Sequence, residues 1–359
     1  MQEFSPAVVS VVVPAYNGER TILKTISSIL KQRYRPLQLI IVDDGSQDST
    51  ISLVEDFINK NGFSSEFNIV RHESNLGLSR SLNDGIKRAR SEYVLILHQD
   101  CEFVGDNWIE KALTLMKDEK VGVVTGYYGV TDVNDESFIK RAFGVLRKQF
   151  HSRPKCSCEE ATFSEGKCDL YRKDLLIKVG GFPTGYKIAG EDLIISYRLR
   201  NLGYDILKCY DLPVVQRFDG TAASFFGNIR KEFLFGKVMG GVFSEFKLFL
   251  FKGVNRSEYS GSRSLHRASQ PAFALASVLL ILLSFAISWW LSFLLAILLI
   301  VRGLYYVFRV FGELNLRKSS IKHPLLESIV IAPIGILTDF AYSFGFGYGL
   351  INYALGRKL

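Results

Sequence analysis

Along most of the chain, apolar positions come in short runs between polar stretches; towards the C-terminal end they merge into long unbroken ones. The stretch 8–46 sets the pattern: two apolar runs, VVSVVV and LQLIIV, flank a segment, ILKTISSIL, whose apolar positions recur at helical spacing. Short apolar runs bounded by polar turns read as buried strands and the segment between them as an amphipathic helix, so 8–46 predicts a β-α-β unit. The same alternation predicts strands at 68–71, 93–97 and 121–128 and helices at 78–89 and 108–116. The polar, charged stretch 131–164 predicts a helix over 138–150 and then a loop. A strand and a short helix follow over 168–181, and 190–203, opening on acids and closing on glycine, predicts a capped helix. Strands alternating with helices in this way predict an α/β fold with a mixed, mostly parallel sheet.

The pattern then changes. Positions 272–301 carry no ionisable side chain, a run well beyond the ~18 residues that mark a membrane span. As one helix the run would measure about 45 Å against a hydrocarbon core of about 30 Å, so it is either steeply tilted or a hairpin breaking around Ser288. Positive charge on both flanks favours the hairpin. A last apolar segment, 325–353, contains Pro333, Asp339 and glycines at 345, 347 and 349, and is compatible with spanning, re-entering or lying flat. Before the long run, 224–252 interleaves aromatic with basic residues, which suits a helix in a membrane interface or one packed on the preceding domain. The organisation expected is an α/β domain over 1–223, amphipathic helices and a basic linker over 224–270, and two to three membrane-associated helices over 271–359.

Composition sharpens this division. The chain has 359 residues, 48% of them hydrophobic, and a formal charge of +8 from 44 Lys and Arg against 36 Asp and Glu. A basic chain has nucleic acid, anionic membrane or phosphorylated substrates as partners. Lys237, Lys247, Lys252, Arg256, Arg263 and Arg267 precede the apolar run, and Arg302, Arg309, Arg317, Lys318 and Lys322 follow its start, so membrane lipids are expected and nucleic acid is not. The first residues lack a basic and then apolar leader, which places the α/β domain in the cytoplasm. Five cysteines agree with a reducing compartment. Cys156, Cys158 and Cys168 with His151 make a weak zinc pattern without CxxC spacing, and unpaired loop thiols are the expectation.

In an open α/β sheet, ligands sit outside the carboxyl ends of the strands. There the first unit presents Pro14, Tyr16, Asn17 and Glu19 beside Asp43 and Asp44, acids suited to a hydroxylated, phosphate-bearing ligand or its metal. No G-x-G-x-x-G follows the first strand, and Pro14 stands where close pyrophosphate approach would need glycine. Phosphate charge must then be met otherwise, and a divalent cation, Mg2+ or Mn2+, on carboxylates is the natural means.

PAYNGE at 14–19, VDDGSQDST at 42–50 and NLGLSRSLNDGI at 75–86 together resemble the family 2 glycosyltransferases, over roughly the first two-thirds of the chain. The resemblance implies a GT-A fold, a nucleotide-sugar donor, a divalent cation and inverting transfer. It implies that Asp43 meets the base or ribose and Asp44 the ribose or metal region, although either acid also suits a cap on the helix starting near Asp48. Asn75, Gly77 and Asn83 resemble the donor-side loop. The D-x-D-like site falls on His98-Gln99-Asp100, with His98 in place of the first acid, so Asp100 is the expected metal ligand and His98 a ligand or phosphate contact. Glu191-Asp192 matches the family's E-D pair, which makes Asp192 the expected base on the acceptor hydroxyl. Gln216 or Arg217 stands where relatives carry histidine, and Arg217 suits the leaving diphosphate.

No Q-x-x-R-W follows the E-D pair, so transfer of a single sugar to a lipid-linked or glycan acceptor is expected rather than processive synthesis. A polyprenyl-phosphate sugar synthase, whose D-x-D-L-Q is replaced here by HQDCE, and a non-catalytic membrane scaffold are the alternatives.

Overall fold

The computed structural model describes residues 9–61, 67–130, 138–147, 157–161, 163–184, 190–217, 224–246, 258–288, 290–316, 321 and 323–356. The chain divides into two compact units, one of residues 1–131 and 154–219, the other of 132–153 and 220–359.

The first unit is built on nine strands: β1 Val9–Ala15, β2 Leu37–Asp43, β3 Phe67–Arg71, β4 Tyr93–Leu97, β5 Cys101–Phe103, β6 Val121–Val130, β7 Cys158–Glu160, β8 Cys168–Arg172 and β9 Asp205–Gln216. Their order is β3-β2-β1-β4-β8-β6-β9-β5, with β7 on β9. The β3-β2-β1-β4 half is parallel, and β8 enters antiparallel to both β4 and β6. Side chains of β1, β2 and β4 divide by the period of two that a pleated strand imposes. Val9, Val11, Val13, Leu39, Ile41, Leu95 and Leu97 pack on one face of the sheet. Val12, Ile40, Val42, Val94 and Ile96 pack on the other.

Helices cover both faces. On the first lie α1 (Ile22–Leu30), α2 (Thr50–Asn61) and α4 (Trp108–Leu115), through Ile22, Ile26, Ile29, Val54, Ile58, Trp108 and Ile109. On the second lie α3 (Leu78–Arg88), α6 (Lys173–Lys178) and α7 (Glu191–Asn201), through Leu82, Ile86, Leu175, Leu176, Ile195 and Leu199. Strands with both faces covered must be apolar throughout, which is why β1 is buried at every position.

The second unit contains α5 (Phe138–Arg147), α8 (Phe225–Phe246), α9 (Glu258–Ala286), α10 (Leu291–Leu316) and α11 (Pro324–Ala354). Three segments, Ser269–Ala286, Leu291–Gly312 and Pro324–Ala354, are long and apolar enough to cross a membrane. The long apolar run is a hairpin, broken between Ala286 and Leu291 as its length required, and its outer side chains, among them Leu279, Phe285, Phe293 and Ile297, are exposed. The segment at 325–353 is a single helix, with Pro333 inside it.

α8 lies along α11 in backbone contact. A Cβ at Gly236 would overlap the Tyr342 carbonyl, one at Gly240 the Phe346 carbonyl, one at Gly345 the Phe233 carbonyl and one at Gly349 the Lys237 carbonyl. Small residues four apart on both helices permit that approach, and dispersion and close fit hold it where the hydrophobic effect gives no drive. Inside the bundle, Asp339 is fully buried. Its Oδ1 accepts from Gln270 Nε2 at 2.8 Å and the Tyr306 hydroxyl at 2.6 Å, and its Oδ2 from Arg302 Nε at 2.7 Å.

The cysteines correct the expectation of unpaired loop thiols. The antiparallel register sets Cys158 of β7 opposite Cys209 of β9, with Cα atoms 4.1 Å apart, and the two form a disulfide. Cys168 is not in a loop: it is buried in β8, opposite Leu97. With Cys158 and Cys168 so placed, the zinc pattern loses two of its members; Cys156 and His151 lie outside the described residues.

Candidate active site

The strand ends of the parallel half hold a set of loops tied to one another by side chains. Asn17, in left-handed backbone at φ 48°, donates its N–H to Ser46 Oγ and accepts from the Gln47 N–H through Oδ1 at 2.8 Å. The Ser49 N–H donates to Glu19 Oε2 while the Glu19 N–H donates to Asp48, a reciprocal pair across the same gap. Gln99 closes a two-way pair on the Tyr16 backbone: its Oε1 accepts from Tyr16 N–H and its Nε2 donates to Tyr16 C=O, both at 2.9 Å. Asn83 makes the same pair with the backbone of Phe182, both bonds 2.8 Å. Asn17, Glu19, Gln99 and Asn83, all expected to face the donor, therefore shape its loops. Pro14 is likewise buried within β1, paired with Val42, whereas Tyr16 and Asn75 stand exposed at the rim.

The two acids after β2 have different employment. Asp43 is buried; its carboxylate accepts from the Ser46 N–H at 3.2 Å and its carbonyl from the His72 N–H at 2.9 Å. Asp44 accepts from the N–H groups of Leu76 and Gly77 at 2.8 Å each and faces His72 Nδ1 at 2.8 Å. It thereby anchors the start of α3, where Gly77 takes φ 93°, rather than capping the helix near Asp48. The donor-loop geometry depends on His72, which also lies 3.3 Å from Asp84; an isolated histidine in a polar stretch gave no sequence signal of that part.

On the other half of the sheet, β4 ends at Leu97 and the chain turns through His98-Gln99-Asp100 into β5, with the Cys101 N–H closing the turn on the His98 carbonyl. Pairing of β5 with β9 brings Cys101 opposite Gln216, so Asp100 and Gln216 meet: Gln216 Nε2 donates to Asp100 Oδ2 at 2.8 Å. Lys167 Nζ donates to Gln216 Oε1 at 2.8 Å, and its carbonyl accepts the His98 N–H at 2.9 Å. Arg217 pairs with Glu102, and its N–H binds the Asp100 carbonyl.

Lys167 leads on to the E-D pair. Glu191 and Asp192 form the first turn of α7 after Gly190, which adopts φ 94°. Burial raises the Glu191 carboxyl, while the Lys167 ammonium pulls it down. Burial, and then the like charge of Glu191, hold Asp192 well above the usual carboxylate range, with Asp169 and Glu165 adding to the effect. Gly166 lies against Asp192, at a φ of +74° that a side chain rarely adopts. Beneath, Asp169 in β8 is fully buried, opposite Thr125 of β6, and accepts from Gly166 N–H at 2.8 Å and the Tyr171 hydroxyl at 3.0 Å. Burial lifts Asp169 to about 6. Lys208 of β9, also buried, pairs with Glu165.

The turn at Asp100 and the helix start at Asp192 thus flank one stretch of chain, in which Lys167 binds Gln216 on the Asp100 side and Gly166 lies against Asp192 on the other. Around it the acids Asp100, Glu102, Glu165, Asp169, Glu191 and Asp192 outnumber the cations Lys167, Lys208 and Arg217. Among the described residues no three His, Cys, Asp or Glu side chains form a metal cage. Mg2+ and Mn2+ do not need one: one or two carboxylates suffice when substrate phosphates and water complete the shell. Asp100 fits as that carboxylate, and the surplus of acids suits a cation that arrives with an anionic donor. His98 stands at the same turn, its backbone engaged at both ends.

Residues 10–180 match the family described as glycosyl transferase family 2. The chain carries a family 2 glycosyl transferase domain. It is 29% identical over 204 residues to a poly-beta-1,6-N-acetyl-D-glucosamine synthase of Staphylococcus epidermidis, 55% of this chain and 47% of that one. It is also 32% identical over 130 residues to the glycosyltransferase GlyG of Streptococcus pneumoniae, 36% of this chain and 42% of the other. The chain therefore spans less than half the length of these relatives. In fold it is similar to the mannosyltransferase PcManGT from Pyrobaculum calidifontis, solved with GDP-Man and Mn2+, at a TM-score of 0.55 and 17% identity over 93% of this chain and 86% of that one. The first unit is a GT-A domain, as its motifs implied.

Proposed function

We propose that this protein is a membrane-bound inverting glycosyltransferase that moves one sugar from a nucleotide-sugar donor to a lipid-linked or glycan acceptor at the cytoplasmic face of the membrane. The observation that carries this reading is Lys167 bonded through Gln216 to Asp100 while the adjoining Gly166 lies against Asp192, which supports a donor-side acid and an acceptor-side acid serving one site. Its support in the sequence is the ordered motif set, and relatives named as glycosyltransferases agree with it.

Asp192 takes the proton from the acceptor hydroxyl. Its raised carboxyl is a stronger base than an ordinary aspartate. The acceptor oxygen then attacks the anomeric carbon from the face opposite the diphosphate, a single displacement that inverts configuration. Arg217, whose guanidinium pairs with Glu102, supplies a fixed positive charge for the departing diphosphate. Asp100 would hold a divalent cation on the donor phosphates, and that ion would supply further charge stabilisation to the leaving group. Tyr16 and Asn75, at the open rim, and Asp43, buried at the end of β2, meet the nucleotide. The absence of Q-x-x-R-W from the sequence favours single transfer over the polymer synthesis that one relative's name describes.

The purified full chain, incubated with a panel of nucleotide sugars, membrane lipids and Mg2+ or Mn2+, tests the proposal. Transfer from one donor to a lipid or glycan product is expected; no turnover of any donor overturns it.

A further inference from the structure

On the transferase reading above, we infer that Lys167 is a positioning residue that holds the donor-side acid and the E-D pair in one productive arrangement. It stands just before β8, where three connections converge. Its carbonyl accepts the His98 N–H at 2.9 Å and so anchors the turn that carries Asp100. Its ammonium donates to Gln216 Oε1 at 2.8 Å, and Gln216 Nε2 in turn donates to Asp100 Oδ2 at 2.8 Å. Its charge acts on Glu191, at the start of α7.

The amide at 216 gives this chain a direction. Glutamine has an acceptor at one end and a donor at the other, so an ammonium on its oxygen fixes which end meets Asp100. With the ammonium gone, the amide can turn its oxygen towards the Asp100 carboxylate, leaving that acid without its donor and with a lone-pair clash. The loop that presents Lys167 is itself held against the base, because Gly166 contacts Asp192 and Asp169 accepts the Gly166 N–H at 2.8 Å. One side chain therefore reports the position of the donor turn to the acceptor side.

Full-length K167M, K167R and wild type, compared in transfer kinetics and in calorimetric binding of the nucleoside diphosphate, test the inference. K167M is expected to lower kcat about a hundredfold, the size of one lost preorganised contact, with nucleotide Kd measured without added metal within about threefold because Asp43 and the rim loops are untouched. K167R, which can donate to the same Gln216 oxygen, is expected to recover kcat to within about tenfold of wild type. Wild-type kcat in K167M overturns the inference. So does a K167R variant as impaired as K167M, or a K167M variant that loses nucleotide binding along with turnover, since either marks a packing role. A wild type that turns over no donor overturns the transferase reading itself, and is told apart because the failure of the Lys167 inference requires an active wild type.

Discussion

In the sheet unit, Glu191, Asp169 and Glu165 lie close enough to Asp192 to raise its carboxyl, while Lys167 acts on Glu191 and Lys208 pairs with Glu165. In the helical unit the buried acid is Asp339, and Arg302, Tyr306 and Gln270 occupy both its oxygens. The contrast separates two uses of a buried carboxylate. A matched acid has its charge and lone pairs satisfied, so it fixes how helices meet and has no appetite for protons or ligands. A surplus of acids destabilises its own ionised state, and the cost is tolerated where a base or a cation site is needed.

Replacing one acid of each kind should break different things. Asp192→Asn is expected to lower kcat for transfer by about a thousandfold, within the range of general-base removal, with no loss of thermal stability; comparable turnover in the variant would place the base elsewhere. Arg302→Met should leave Asp339 buried without its cation and destabilise the helical unit by about 3 kcal/mol, measured by unfolding in detergent, while donor binding in the sheet unit stays unchanged. The double variant Arg302→Met with Asp339→Leu should recover much of that loss, because the pair is removed together.

Gly345→Ala sharpens the helical side alone. Its Cβ would overlap the Phe233 carbonyl, so α8 and α11 must separate, at about 2 kcal/mol in the same unfolding measurement. The smallest effect tests the surplus itself. Asp192 must lose its proton to act as base, so activity rises as pH climbs through its raised pKa, and anything that lowers that pKa moves the acid limb to lower pH. Asp169→Asn removes one like charge and should shift the acid limb of kcat/KM downwards by roughly half a unit, given that close carboxylates perturb each other by about that much or more. A limb that stays in place or moves up would show that Asp169 does not act on the base.

Much of the sheet unit was legible before any coordinates. β1, β2 and β4 are apolar on both faces, a pattern with few alternatives, and their flanking helices carry apolar residues at regular spacing. Length against bilayer thickness left a tilted helix or a hairpin near Ser288, and positive charge on both flanks favoured the hairpin that forms. β5 and β7, three residues each, were not legible, because strands so short have no period to read and exist only by pairing with β9. The motifs that carry Asp100, Glu191 and Asp192 were legible at once, whereas the bonds by which Gln99 and Asn83 clamp distant backbone were not. An amide in a polar loop has the same appearance as a ligand group or as a clamp.

Local pattern and composition alone thus determined the alternation of strand and helix, the long apolar helices and the identity of the candidate acids, since each depends on neighbours within a few turns of chain. Only the tertiary structure decided who partners whom. Gln216 meets Asp100 because β5 and β9 share a register, Cys158 meets Cys209 because β7 and β9 do, and Asp339 meets Arg302 because two helices cross there. Such contacts join residues tens to more than a hundred positions apart, and nothing in the order of the residues encodes them until the sheet and the bundle have closed.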